Sequence, residues 1–506
     1  MDQVITRCGF TRGSRASTPA SMKAPGRLRA NETAPSPDGR PMRSRPLLRR
    51  FLLLAGPPIA LAAGALAARL AHPAGCDVLL ITLDTLRADH PSCYGGAART
   101  PSMQRLAEGS ALFPLASSNI PRTTPALASV MTGRYPQSNG VRFLKQRLEE
   151  GQQTLAEKLT EAGFSTGALV AGGPLEPATG LDRGFAFYRC YVDLKAGLLT
   201  LRALPWLARS LARRSFLWVH YFDPHFGYQP PWPFDRDGEE PAGFRVYRQI
   251  RDRQLSFGRL HFAPPLSPEE HAYLRALYRG EIEYADAAIG VLLRAVRLRD
   301  FITGRRSLVV LTADHGESLG EHGCWYEHGE FLYEPDIRIP FLISWPGRIL
   351  AASRPAAGAQ LIDLAPTLLD LLELSPLPLA EGRSLAPALR GERMPERPLF
   401  VESGESFFPE NPRRSLQGVE GKWRSVRVGD WKLILIPRPG GDSLELYELR
   451  KDPDEHVNLA SVRPALVGEM RALLGRWMAS GGRQEGPVPL LDDEERERLR
   501  SLGYID

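Results

Sequence analysis

Asp84, Thr123, Asp314 and His315 are the side chains on which chemistry can be built in this sequence. Two carboxylates, an imidazole and a hydroxyl make a site for a single divalent cation. The histidine and the small ligand number favour zinc or manganese over calcium, which takes roughly six to eight oxygens. Thr123 lies in the stretch Asn119–Arg134, which reads as a loop turning into a short helix. Thr124 is suited to cap that helix, Pro125 to its first position and Gly133 to its end. A hydroxyl just ahead of a helix N-terminus, where free N–H groups and the macrodipole favour an anion, is placed to attack a phosphate or sulfate ester. His220 and His225 fall close together beside Asp223 and Pro224, and His315, His322 and His328 crowd into one short glycine-rich stretch. Core packing is a poor account of so many polar groups. His322 and His328 leave room for a second metal, without a complete ligand set.

The elements that must position these groups are legible from apolar periodicity. Asp77–Leu83, Phe216–Tyr221 and Ser307–Thr312 are continuous apolar runs with β-branched residues, the pattern of parallel strands buried on both faces. Asp84, Asp314 and His315 follow two of them directly. The carboxyl ends of such strands are where open α/β sheets collect their ligands. Phe164–Val170 and Ile339–Trp345 read as further strands, and Pro101–Gly109, Gln153–Ala162, Ser267–Arg299 and Leu361–Leu374 as helices. Residues 192–214 form a basic helical stretch. Alternation of strand and helix to about residue 375 predicts a doubly wound, mostly parallel α/β sheet flanked by helices. Beyond it, Trp423–Val428, Trp431–Ile436 and Leu444–Leu449 read as an antiparallel meander followed by a helix at Pro464–Met478, a smaller C-terminal α+β unit. The expected organisation is 1–41 disordered and basic, 42–75 signal peptide or membrane anchor, 76–378 catalytic, and 379–506 the smaller unit.

The net charge of +6 is unevenly distributed. Residues 1–50 hold eleven Lys and Arg against three Asp and Glu, which leaves the remaining chain at −2. A near-neutral body argues against a nucleic-acid partner. From Met42 a basic cluster precedes an apolar run from Phe51 to about Leu70, so the bulk of the chain is expected outside the cytoplasm: periplasmic, secreted, or anchored with membrane contact through this run. The five cysteines are odd in number and widely spaced, supporting neither a disulfide framework nor a zinc knuckle.

Taken together, the motifs VLLITLDTLRAD (78–89), TTPALASVMTGRY (123–135), FLWVHYFDPHFGY (216–228) and TADHGESLGEHG (312–323) resemble those of the sulfatase family within the alkaline phosphatase superfamily. DLAPTLLD (363–370), LYELRKDPDEHVNL (446–459) and LRSLGYI (499–505) extend the likeness over about residues 76–506. The resemblance implies that Asp84, Asp314 and His315 are metal ligands and that Thr123 occupies the nucleophile's place. It places His225, and with it His220, near the ester's leaving group, and His328 where many members carry an anion-binding lysine.

The departures from the family pattern are chemical. The window in which sulfatases have Cys or Ser, then x-Pro-Ser-Arg, reads Thr123-Thr124-Pro125-Ala126-Leu127 here. Threonine carries a methyl on Cβ, so its oxidation gives a ketone and never formylglycine. Thr85 stands where calcium-using sulfatases have a second aspartate, and His315 where they have asparagine. The site is therefore more similar to threonine-nucleophile phosphodiesterases and phosphoethanolamine transferases. The expected function is metal-dependent hydrolysis or transfer of a phosphate or sulfate ester on a small molecule, glycan or lipid, with phosphoester chemistry preferred. The alternatives are a sulfuric ester hydrolase without formylglycine and an inactive anion- or glycan-binding member.

Overall fold

Each strand-forming run expected from the sequence forms a strand, and the buried ones lie side by side. The computed structural model of the protein describes residues 75–235, 240–241, 266–406, 422–438 and 440–481. The expected leader, 1–41 and 42–74, and the closing motif at 499–505 lie outside the described residues.

In chain order the elements used below are β1 (Val78–Leu83), α1 (Pro101–Ala107), β2 (Ala111–Leu112), α2 (Thr123–Thr132), α3 (Leu155–Glu161), β3 (Ser165–Ala171), β4 (Phe187–Tyr191), α4 (Ala196–Arg209), β5 (Ser215–Tyr221), α5 (Pro268–Thr303), β6 (Leu308–Ala313), β7 (Phe341–Ser344), α6 (Leu364–Leu371), β8 (Leu399–Ser406), β9 (Lys422–Val428), β10 (Trp431–Ile436), β11 (Ser443–Glu448) and α7 (Pro464–Ser480). The first sheet runs β2-β7-β6-β1-β5-β3-β4. β1 pairs in parallel with β5 on one side and β6 on the other, each residue of all three being buried. β7 alone runs against its neighbours, pairing antiparallel with β6 and β2. Its apolar run marks a strand but carries no signal for direction.

Capping chemistry fixes the helices that flank this sheet. Thr154 and Glu157 close a capping box on α3, and Ser267 and Glu270 close another on α5. Gly304 ends α5 in the left-handed conformation that glycine takes without strain. The start of α2 corrects the sequence expectation. Arg122 is the N-cap and Thr123 the first helical residue, so Pro125 sits at the third position. Thr124 caps nothing: its hydroxyl donates to the Pro174 carbonyl at 2.8 Å and accepts from Lys145 N–H at 3.0 Å. The buried loop partners outcompete a cap.

The second sheet, β8-β9-β10-β11, is antiparallel throughout. Its three later strands match the expected meander. β8 precedes them, and β4 at the edge of the first sheet is likewise an addition to the sequence reading. Its residues, Phe-Tyr-Arg-Cys-Tyr, are half-exposed and lack the continuous apolar character of the central strands. α7 packs on β9 and β10 through Val467, Met470, Leu474 and Trp477. The four described cysteines, Cys76, Cys93, Cys190 and Cys324, are free thiols.

Candidate active site

β1 and β6 end level with each other, which delivers Asp84 and Asp314 to one rim. Asp314 N–H donates to the Leu83 carbonyl at 3.2 Å, and Asp84 N–H donates to the Tyr221 carbonyl at 2.9 Å. Thr85 then takes a φ of 53°, unusual for a β-branched residue. That turn aims its N–H at Asp314 Oδ1, 3.2 Å away, which also accepts from His315 N–H at 2.8 Å. One oxygen of Asp314 is thereby fixed by backbone and the other is left for a ligand. Gly316 makes the next bend possible, since a Cβ there would lie 1.9 Å from the Pro335 carbonyl oxygen.

Asp84, Asp314 and His315 each present one ligand atom within 4.8 Å of the others. His315 Nε2 stands 3.7 Å from Asp84 Oδ1 and 3.6 Å from Asp314 Oδ2. These separations are long for hydrogen bonds. They suit ligands that share a cation, since bonds of about 2.1 Å in a tetrahedron set neighbouring ligand atoms about 3.4 Å apart. The residues are fully buried, and both oxygens of Asp84, Oδ2 of Asp314 and Nε2 of His315 find no hydrogen-bonding partner. Buried polar atoms left this way cost free energy unless a ligand satisfies them. His315 Nδ1 faces the Gly316 carbonyl at 2.9 Å, so its proton belongs there and the Nε2 lone pair faces the aspartates, the tautomer a metal ligand requires. Burial alone pushes Asp84 and Asp314 well above the usual carboxylate range, with Asp84 adding repulsion at Asp314, and holds His315 well below that of imidazole. A divalent cation reverses each of these tendencies.

Thr123 opens α2 with its side chain buried and Oγ1 without a hydrogen-bonding partner. The expected histidines gather on the same side. His220 Nε2 lies 3.8 Å from Asp84 Oδ2. The His315 and His328 rings stack at 4.5 Å between centroids, and His225 meets His328 edge-on at 5.1 Å. Burial depresses His220 to about 4 and His225 to about 3. His322 goes elsewhere: it stacks on Tyr333 with 3.5 Å between centroids, and its Nε2 lies 3.1 Å from the Asp454 carbonyl. It takes no part in a second metal set with His328.

The sequence reading passed over three contributors. Thr82 accepts the Trp218 indole N–H at 2.9 Å and lies 2.8 Å from His220 Nδ1. These two contacts fix the His220 ring with Nε2 facing Asp84. Glu317 Oε1 stands 3.2 Å from His328 Nδ1 and fixes that ring. Arg122, one residue before Thr123, is buried and paired with Glu330 at 2.9 Å, and its charge favours ionised Asp84. It is packed between two glycines: a Cβ on Gly329 would meet its Nε at 2.1 Å, and one on Gly404 its Cγ at 1.9 Å. Adjacency to Thr123 is the one sequence signal that pointed to Arg122. Nothing local marks the other two.

Comparison with known proteins bears on this arrangement. Residues 77–374 match the family model described as Sulfatase, and residues 320–467 match the C-terminal model of N-sulphoglucosamine sulphohydrolase. The chain is 28% identical over 214 residues to arylsulfatase K of Gallus gallus, a match covering 41% of this chain and 37% of that protein. It is 28% identical over 386 residues to human iduronate 2-sulfatase, covering 62% and 68%. The chain thus spans little more than a third of the first of these. Among solved structures, the phosphonate monoester hydrolase of Silicibacter pomeroyi superimposes with a TM-score of 0.66 at 19% identity, covering 83% of this chain and 98% of that one. At that identity the likeness speaks for the fold.

Proposed function

Because the chain belongs to the sulfatase family, we propose that it is a metal-dependent hydrolase or group transferase of phosphate or sulfate esters, with phosphoester chemistry preferred. The observation that carries this reading is the convergence of unsatisfied, buried ligand atoms from Asp84, Asp314 and His315 at the carboxyl rim of the sheet.

Those three residues, with Thr123, would hold the cation, zinc or manganese by ligand type. When bound, the cation lowers the pKa of a hydroxyl and polarises an ester oxygen. Thr123 Oγ attacks the phosphorus in line. A bond from Oγ to phosphorus forms as the bond to the leaving oxygen breaks, and the threonine proton is released. The N–H groups opening α2 and the Arg122 charge steady the transferred group. His225 protonates the departing oxygen, an effect worth roughly 10²–10⁴-fold for a well-placed acid. Its depressed pKa is no obstacle, because the anionic ester arriving beside it favours the imidazolium. His220 presents Nε2 to the rim, and His328, braced by Glu317, takes the anion-binding place of the family's lysine. Water or an acceptor hydroxyl then displaces the phospho-threonine.

The likeness to arylsulfatase K and iduronate 2-sulfatase favours a second reading in which the same groups act on a sulfate ester without formylglycine. The substrate is a small-molecule, glycan or lipid ester, and the apolar run at 51–70 behind a basic cluster supports a location outside the cytoplasm, secreted or anchored. Purified full chain supplied with zinc, then manganese, is tested on p-nitrophenyl phosphate, bis-p-nitrophenyl phosphate and p-nitrophenyl sulfate. Faster turnover of either phosphate supports the reading. Turnover of the sulfate alone selects the second, and inertness toward all three with either metal overturns both.

A further inference from the structure

The helix α4 carries one face that the fold uses and one that it does not. Ala196, Leu199, Ala203, Trp206 and Leu207 are buried, and the Trp206 ring fits against Gly167 of β3 so closely that a Cβ there would lie 2.3 Å away. The opposite face exposes Leu198 at 55% and Leu201 at 57%, followed by Pro205 one turn on. Around this apolar stripe stand the exposed Arg202, Arg209 and, just past the helix, Arg213.

The charge there is one-sided. Between Asp193 and Asp223 the sequence holds no acidic residue and five basic ones. Lys195 is engaged by Asp223 and Glu281, and Arg214 by the Ala162 carbonyl and the Phe164 ring. Arg202, whose guanidinium lies 5.8 Å from the Tyr191 ring centroid, and the exposed Arg209 and Arg213 have no carboxylate within ion-pairing distance among the described residues. Gly75 lies against the side chain of Arg214, five residues past the end of α4, since a Cβ there would lie 2.9 Å from Arg214 Cδ. In sequence, Gly75 follows the apolar run ending at Leu70, so at most about 17 Å of extended chain separates the two.

We propose that this face of α4 rests on an anionic lipid bilayer, with Leu198 and Leu201 entering the headgroup boundary and Arg202, Arg209 and Arg213 meeting lipid phosphates. An apolar stripe bordered by arginines is the composition of a helix lying in a membrane interface. A two-fold dimer through this face would set the arginines of the copies against each other, and a soluble polyanion would leave both leucines in water. The proposal rests on the exported, membrane-associated part of the reading above and is independent of the catalytic part.

The test is flotation of the full chain with vesicles of pure phosphatidylcholine and with vesicles containing added phosphatidylglycerol. Any insertion of the apolar run at 51–70 is common to both kinds, so the readout is the preference between them. Each arginine contributes roughly 5-fold to that preference. The triple variant R202Q/R209Q/R213Q is therefore expected to lose about 100-fold, as is the native chain in high salt. L198S/L201S weakens binding to the anionic vesicles. Unchanged melting temperature and circular dichroism show that each variant is folded, whether or not the protein turns over any ester. Equal binding to both lipids, an unchanged preference in the triple variant, or a concentration-dependent dimer abolished by L198S/L201S overturns the proposal.

Discussion

At the scale of single residues, the centre depends on which atoms are left without partners. Thr123→Ala is expected to reduce kcat by about 10³-fold or more while Thr123→Ser retains measurable turnover, read on the preferred nitrophenyl ester. Removing metal with a chelator should abolish turnover and lower the melting temperature, because Asp84 and Asp314 are then buried facing each other without a counter-charge. Asp84, Asp314 and His315 were legible because each directly follows a strand that announces itself. Thr82 and Glu317 were not, because their roles arise from contacts with residues 138 and 11 positions away.

At the scale of elements, two joints hold the rim in place. The bend after β6 requires Gly316. Gly316→Ala sets a methyl group against the Pro335 carbonyl and is expected to cost about 1–3 kcal/mol in urea denaturation, and to weaken metal binding by moving His315. The second joint fastens the Asp223–His225 loop to α5. Lys195 Nζ lies 2.8 Å from Glu281 Oε1 and 3.1 Å from Asp223 Oδ1. Burial, with the Asp223 charge behind it, raises Glu281 from 4.5 to about 8. In the folded protein this carboxyl keeps its proton up to about pH 8, whereas in the unfolded chain it loses it near 4.5. Its contribution to stability is therefore full at low pH and declines as pH rises through that window. Glu281→Gln should flatten the decline, measured as melting temperature against pH. Helix and strand positions were legible here from period and caps. The beginning of α2 was misread by two cap positions because Thr124 finds its partners in loops remote in sequence, and β4 was missed because an edge strand need not be apolar.

At the scale of the whole molecule, the two sheets are joined by buried charge as well as by apolar packing. Arg142 meets the fully buried Glu402 of β8 through two hydrogen bonds, 2.9 and 2.8 Å long. Arg142→Ala strands that carboxylate and is expected to cost about 3–5 kcal/mol by chemical denaturation, a loss that a surface pair would not show. The sequence made the two-part architecture legible through its change of pattern near residue 380. It did not reveal how the parts meet, because β8 lies outside the meander that the alternation exposed. That strand brings Gly404 against Arg122, and the Gly404 N–H donates to the Gly329 carbonyl at 2.6 Å. The guanidinium beside the first residue of α2 is thus clamped by a part of the chain made some 280 residues later. A nascent polypeptide released after residue 328 but before β8 has every proposed ligand and the threonine, yet lacks the wall that packs against the Arg122 side chain. Maturation of the centre is accordingly a late event in biosynthesis, and premature termination anywhere upstream of β8 yields a product that is incomplete where it matters most.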